Sequence, residues 1–156
     1  MFEADDEVFA NLADVVRPQG DILLGRGTYD YWVDYWPTSV VQPFADFING
    51  TTKHVFTSST PSQSWPLTTI VKEPLEPYLE GIKAGSGGDI GVHGSIRLAQ
   101  SLLTADLVDR LELVIVPTLA GSGRHLFTDD IDVRRLALDK VTRSTSGCVF
   151  LGYARP

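Results

Sequence analysis

With 156 residues, 43 % of them hydrophobic and 21 % charged, the sequence suits one globular domain with a core of its own and is too short for two comfortable ones. A formal charge of −7 repels phosphate backbones, which argues against general nucleic-acid binding while leaving room for a small anion in one local basic pocket. The opening MFEADDEV has neither a cationic start nor a long apolar stretch, so neither a secretory signal nor a membrane span is read there and a cytoplasmic setting is expected.

From Glu3 to Val16, Val8, Phe9, Leu12, Val15 and Val16 recur at helical spacing, and Arg17-Pro18-Gln19-Gly20 stops the helix. Ile22 to Leu24 is short and wholly apolar, the mark of a strand covered on both faces. A helix is expected after Thr28. Lys53 to Thr57 reads as the next strand and runs into Ser58-Ser59-Thr60-Pro61. Thr69 to Val71 is another strand, and Glu76 to Lys83 a helix that stops at Gly85-Ser86-Gly87-Gly88. Ile90 to Val92 is a further short strand. Ser95 to Leu103 then shows helical periodicity through Ile96, Leu98, Ala99, Leu102 and Leu103. Leu111 to Val116 is a strand terminated by Pro117, a glycine-containing loop (119–127) follows, and the tail forms two strands joined at Ser146-Gly147. Short apolar strands alternating with helices predict an α/β fold, with a mostly parallel central sheet flanked by helices and a carboxy-terminal antiparallel hairpin. No repeat or linker divides residues 1–156, which read as a single domain.

Three strands end alike, in small polar residues beside a helix start: Gly25-Arg26-Gly27-Thr28, Ser58-Ser59-Thr60 and His93-Gly94-Ser95. In open α/β sheets ligands sit beyond the carboxyl ends of the strands, where helix amino termini present unpaired N–H groups that favour phosphate. Gly25 and Gly27 permit close approach, Thr28 can cap the helix or bond a phosphate oxygen, and Arg26 offers a fork of donors. The competing reading of these four residues is a plain strand-to-helix turn with a solvated arginine. Ser58 and Ser59 suit a second phosphate or a turn before Pro61. Ser95 is placed as an N-cap, and His93 is either a ligand contact or a hydrogen-bonded structural histidine. Together the three sites make a dinucleotide crevice.

Other constellations carry less. Gly85 to Gly88 lacks the Gly-Lys-Ser/Thr ending of a P-loop and precedes a strand. His54, His93 and His125 have no metal-ligand spacing, and Asp129, Asp130 and Asp132 lack the glycine and late glutamate of a calcium loop. The lone Cys148 lies in CVFL and reads as a buried thiol. Asn49-Gly50-Thr51 matches a glycosylation sequon by chance, given no export signal.

ILLGRGTYDYW (22–32), KHVFTSST (53–60) and above all DIGVHGSIRLAQSLLTADLVDRLELVIVPTLAGSGRHLF (89–127) resemble the dihydrofolate reductase-like superfamily. Within it the chain is most similar to the branch related to the carboxy-terminal reductase domain of the riboflavin-biosynthesis deaminase-reductase. The resemblance implies an NADPH-dependent reductase. Gly25, Arg26 and Thr28 would meet the cofactor phosphates, Ser58 and Ser59 the adenosine ribose phosphate, and His93, Gly94, Ser95 and Ile96 the pyrophosphate and nicotinamide side. It further implies a homodimer and a non-proline cis peptide within the His93-Gly94 pair. Where the family begins with a central strand ending in a Ser-Leu-Asp-Gly-like turn, this sequence starts at the following helix, so the usual first strand is expected to be missing. The expected activity is hydride transfer from NADPH to a small heterocyclic or carbonyl-containing substrate. The alternative is a dimeric nucleotide-binding protein without turnover. No residue is assigned as catalytic acid, because the superfamily often places it in the missing region.

Overall fold

The computed structural model describes residues 5–85, 87–127 and 132–156. Its centre is β1 (Gln19–Gly25), whose Ile22, Leu23 and Leu24 are essentially without exposed surface. Strand side chains alternate between faces, so Ile22 and Leu24 look one way and Leu23 the other. Two separate cores follow from that alternation. Ile22 and Leu24 join Val16, Tyr29, Val33, Phe44, Ile48, Val55 and Trp65, whereas Leu23 joins Leu79, Leu98 and Leu102.

Helices cover both faces. On the Ile22 side lie α1 (Asp6–Val16), α2 (Arg26–Tyr35) and α3 (Phe44–Gly50); on the Leu23 side lie α4 (Leu75–Lys83) and α5 (Ile96–Thr104). Helix α1 starts where Asp5 accepts a hydrogen bond from the Val8 N–H at 2.9 Å, with Asp6 and Glu7 favourably placed in its first turn. Glu3, expected inside this helix, lies outside the described residues, as do Met1, Phe2, Ala4, Ser86 and residues 128–131, Asp129 and Asp130 among them.

Strands β2 (Thr52–Phe56), β3 (Thr68–Val71) and β4 (Asp89–Val92) complete a four-stranded parallel sheet in the order β3-β2-β1-β4. The chain proceeds outward from β1 through β2 and β3, then returns to the other side of β1 with β4. The order therefore reverses between β1 and β4, where such sheets open a crevice at their carboxyl ends. Strands β5 (Arg110–Ile115), β6 (Ala137–Arg143) and β7 (Val149–Ala154) form a second, antiparallel sheet in the order β5-β7-β6. The expected carboxy-terminal hairpin is its β6-β7 pair.

No pairing joins β4 to β5 among the described residues, and the two sheets remain distinct. A cavity of about 1070 Å³ lies between these two strands.

Helix α3 is not announced by periodicity, since seven residues span barely two turns. It is held by tertiary contacts instead. Asn49 donates to the Trp36 and Ala45 carbonyls and accepts from the Trp65 indole N–H at 2.9 Å. Cys148 is fully buried, as its apolar neighbours suggested. No described helix is long and apolar enough to cross a membrane.

Candidate functional site

The parallel strands deliver the three polar strand ends to one place. Gly25 closes β1 and stands at the N-cap position of α2, where no side chain caps the helix. Thr28 is already the third residue of α2, so the capping role open to it in the sequence is not the one it fills. The first-turn N–H groups of α2 are left for solvent or an anion.

Gly25 also touches the end of β4. Its N–H donates to the Gly94 carbonyl at 2.8 Å, and a Cβ at Gly25 would stand 2.6 Å from the Ser95 Oγ. Glycine is required there by protein packing alone. Gly94 has φ +115°, and a Cβ on it would come within 2.9 Å of Thr28 Oγ1. Gly27, by contrast, faces open space. The non-proline cis peptide is the bond between Gly94 and Ser95, one position beyond the His93-Gly94 pair in which it was expected. Ser95 is the N-cap of α5, accepting from the Leu98 N–H at 3.4 Å, as the sequence indicated. Ile96 opens that helix beside it.

Arg26 ties the first strand end to the second. Its Nη1 donates to Ser59 Oγ at 2.8 Å and to the Ser59 carbonyl at 3.2 Å, while Nε meets both carboxylate oxygens of Asp30 at 2.7 Å. Thr57 supports the turn: its hydroxyl donates to the Ser59 carbonyl at 2.9 Å and accepts from the Ser59 N–H at 3.2 Å. Ser58 is exposed beside it. The Arg26–Asp30 pair is partly solvent-exposed, and such pairs are worth about 0–1 kcal/mol, so an incoming anion can displace the carboxylate. Asp30 escaped the sequence reading, although its position four residues after Arg26 on a helix was the available signal.

His93 resolves toward the structural alternative. Its Nε2 lies 2.6 Å from Gln19 Oε1, and its ring packs against Phe44 and Phe47 with centroids 5.4 and 5.5 Å away. Gln19 commits its own amide N–H to the Val15 carbonyl at 3.0 Å, which turns Oε1 toward the ring and makes His93 Nε2–H the donor. Burial pushes the imidazole pKa down to about 4. The side chain therefore turns back into the α1–α3 side of the sheet, and the backbone of His93-Gly94 is what reaches the strand end. Between pH 6.5 and 4 the unfolded chain binds a proton that the folded one refuses, so stability is lost as the pH is lowered through that window. The unfolding free energy of the wild type, read from urea denaturation, should drop more steeply from pH 6.5 to 4 than that of His93→Gln, by at most about 1.4 kcal/mol per pH unit. Parallel slopes would show that the imidazole stays accessible to protons.

A second polar cluster sits away from the crevice. His54 on β2 lies 2.9 Å from Asp21 Oδ1 through Nε2 and 2.8 Å from the Tyr78 hydroxyl through Nδ1. Asp21 and Tyr78 were not singled out in the sequence, because only the β1–β2 register and the seating of α4 bring them to His54. His125 places its carbonyl, not its ring, against Gln100.

Comparison with known proteins agrees with this geometry. The family model described as "RibD C-terminal domain" matches residues 11–150. YwjB of Bacillus subtilis strain 168, itself uncharacterized, is 27% identical over 143 residues, covering 92% of this chain and 78% of that protein. YyaP of the same organism, also uncharacterized, is 26% identical over 144 residues, with 90% and 76% covered. Among solved structures, a pyrimidine reductase-like protein of Corynebacterium diphtheriae superposes with a TM-score of 0.66 at 17% identity, over 96% of this chain and 82% of that one. The match to the family model runs from within α1 to within β7 and leaves one conclusion: the chain belongs to the RibD C-terminal domain family and has its dihydrofolate reductase-like fold.

Proposed function

We propose that the protein is an NADPH-dependent oxidoreductase that transfers hydride to a small heterocyclic or carbonyl-containing substrate, acting in the cytoplasm as a homodimer. The observation that carries this reading is the convergence of three strand ends, with Arg26 bonded to Ser59 and Gly25 bonded to Gly94. The residues fit the cofactor on structural grounds. The uncapped amino terminus of α2 offers N–H groups to a pyrophosphate, and Gly27, with open space around it, puts no side chain in the way. Gly25, Arg26 and Thr28 suit the cofactor phosphates, with Arg26 reaching Ser59 so that it also serves the adenosine ribose phosphate beside Ser58 and Ser59, while His93, Gly94, Ser95 and Ile96 border the pyrophosphate and nicotinamide side.

The reduced nicotinamide, when bound, supplies the hydride. The chain's own work is positional. β1 is paired on both sides and gives the crevice a rigid base, and Arg26 and Ser59 fix one end of the ligand so that the other is aimed. The exposed apolar residues Val114, Leu138 and Val141 of the second sheet support the homodimer. A second reading, nucleotide binding without turnover, is favoured by the open cavity between β4 and β5, which borders His93 and leaves that flank of the crevice unwalled.

The test is an NADPH titration of the 156-residue protein followed by its three tryptophans, with NADH as control. Saturable binding that prefers NADPH is expected. A folded protein that binds neither nucleotide would overturn both readings, and tight binding with no turnover across a panel of pteridine, pyrimidine and carbonyl compounds would favour the second.

A further inference from the structure

Asp21, His54 and Tyr78 form a polar cluster that the cofactor reading does not use. Asp21 shares the face of β1 with Leu23, the face covered by α4 and α5, and lies four residues, about 13 Å, before the strand end at Gly25. A carboxylate only accepts, so the proton between Asp21 Oδ1 and His54 Nε2 belongs to the imidazole. That leaves His54 Nδ1 as an acceptor for the Tyr78 hydroxyl. Burial, with Glu73 and Asp21 nearby, holds the Tyr78 pKa above its ordinary value and keeps the hydroxyl a donor. Each bond of the network therefore has one direction, and Asp21 is oriented by a histidine that is only 8 % exposed.

The second carboxylate oxygen, Oδ2, accepts no hydrogen bond among the described residues. Asp21 lines the large cavity, whose wall under α4 is apolar through Leu79, Ile82 and Ile90. Gly87 lies against Oδ2 without a side chain to cover it; a Cβ there would stand 3.4 Å away. Asp89 opens the neighbouring β4 and makes no ion pair among the described residues. The local cation, Lys83, is already bonded to Asp109 and to the Leu107 carbonyl. An apolar wall beside uncompensated carboxylates matches a ligand with an apolar body and a cationic head. Among the described residues no group of three or more His, Cys, Asp or Glu could hold a metal ion, which leaves a cation that brings its own N–H donors.

We propose that Asp21, oriented by His54 and Tyr78, anchors a small organic amine under α4: the ammonium group donates to Asp21 Oδ2, and the apolar body lies against Leu79 and Ile82. The fixed network spares the carboxylate any reorientation when the amine arrives. The site is separate from the crevice at the strand ends and does not rest on the cofactor reading.

Isothermal titration of the 156-residue protein with benzylamine, benzyl alcohol and phenylacetate tests this, because the three share a ring and differ in charge. A hydrogen bond to a charged group accounts for about tenfold or more in affinity. Benzylamine should therefore bind one-to-one and at least about tenfold tighter than benzyl alcohol, with phenylacetate weakest. Added salt should weaken the amine and spare the alcohol. Asp21→Asn keeps the shape and an acceptor for His54 but removes the charge, and should bring benzylamine down to the level of the alcohol. Should that variant fail to fold, Gly87→Leu decides. Position 87 is exposed and has no left-handed backbone, and a leucine there covers Oδ2, so benzylamine should weaken at least about tenfold at unchanged Tm. Equal affinity of the amine and the alcohol for the wild type would overturn the proposal. So would an amine preference that survives either substitution, or tighter binding of phenylacetate, which would hand the cavity to Lys83 and Arg110.

Discussion

Lys53→Ala should lower the unfolding free energy by about 3 kcal/mol, within the 2–5 kcal/mol typical of emptying a core position. Lys53 has no exposed surface, yet it lies on the same face of β2 as the core residue Val55. Its Nζ donates to the Ile48 and Thr51 carbonyls at 2.9 and 2.8 Å and lies 4.7 Å from the centre of the Trp65 ring. These carbonyls belong to the carboxyl end of α3, where a helix carries partial negative charge and unpaired acceptors. The lysine thus closes a helix too short to stand alone, and alanine would leave both carbonyls unpartnered in a void. Lys53→Met keeps the apolar stem and should lose less, about 1–3 kcal/mol from the unmade hydrogen bonds.

Chemical denaturation of the two variants measures the difference, and pH adds a second signature. Burial pushes the Lys53 pKa down to about 8, from 10.5 in the unfolded chain. Between those values the unfolded chain holds the extra proton, so wild-type stability should rise with pH relative to Lys53→Met. Equal stability of wild type and Lys53→Ala would mean that water reaches the amine and that α3 is held by Asn49 alone.

Arg26→Ala should weaken NADPH binding about 10- to 100-fold and leave NADH within about threefold. A hydrogen bond to a charged group is worth about 1.5–3 kcal/mol, and 1.4 kcal/mol is a factor of ten. The selectivity follows from where Arg26 points: its guanidinium is bonded to Ser59 at the end of β2, on the side proposed for the ribose phosphate, and NADH lacks that phosphate. Asp30→Asn is the opposing arm. It removes the carboxylate that competes for the same guanidinium and should tighten NADPH. Isothermal titration at two salt concentrations measures both, with the steeper salt dependence expected for NADPH. Equal losses for the two nucleotides in Arg26→Ala would move the phosphate elsewhere.

Much of the fold could be read along the chain because it was written in local periodicity. Ile22 to Leu24 had to be a doubly covered strand, Ser95 had to precede a helix, and 137–154 had to turn at Ser146-Gly147. The strand ends were recognisable as well, since glycine, serine and threonine beside a helix start leave few structural uses. What escaped was whatever depended on register or on packing across the sheet. Helix α3 exists because Asn49, Lys53 and Trp65 fasten it, and those contacts are invisible to a window of seven residues.

His93 shows the limit most clearly. The sequence could place it at a strand end and no further; whether its ring met a ligand or the protein depended on Gln19, 74 residues earlier, and on α3 lying overhead. The sequence by itself determined the strands and the helices other than α3, and which small residues end them, because those are properties of neighbours. Only the tertiary structure decided that Gly25 must spare room for Ser95, that Arg26 reaches Ser59, that Asp21 and Tyr78 meet His54, and that the sheet is split between β4 and β5. Each of those depends on a distance between residues far apart in the chain, and strand order and register set such distances.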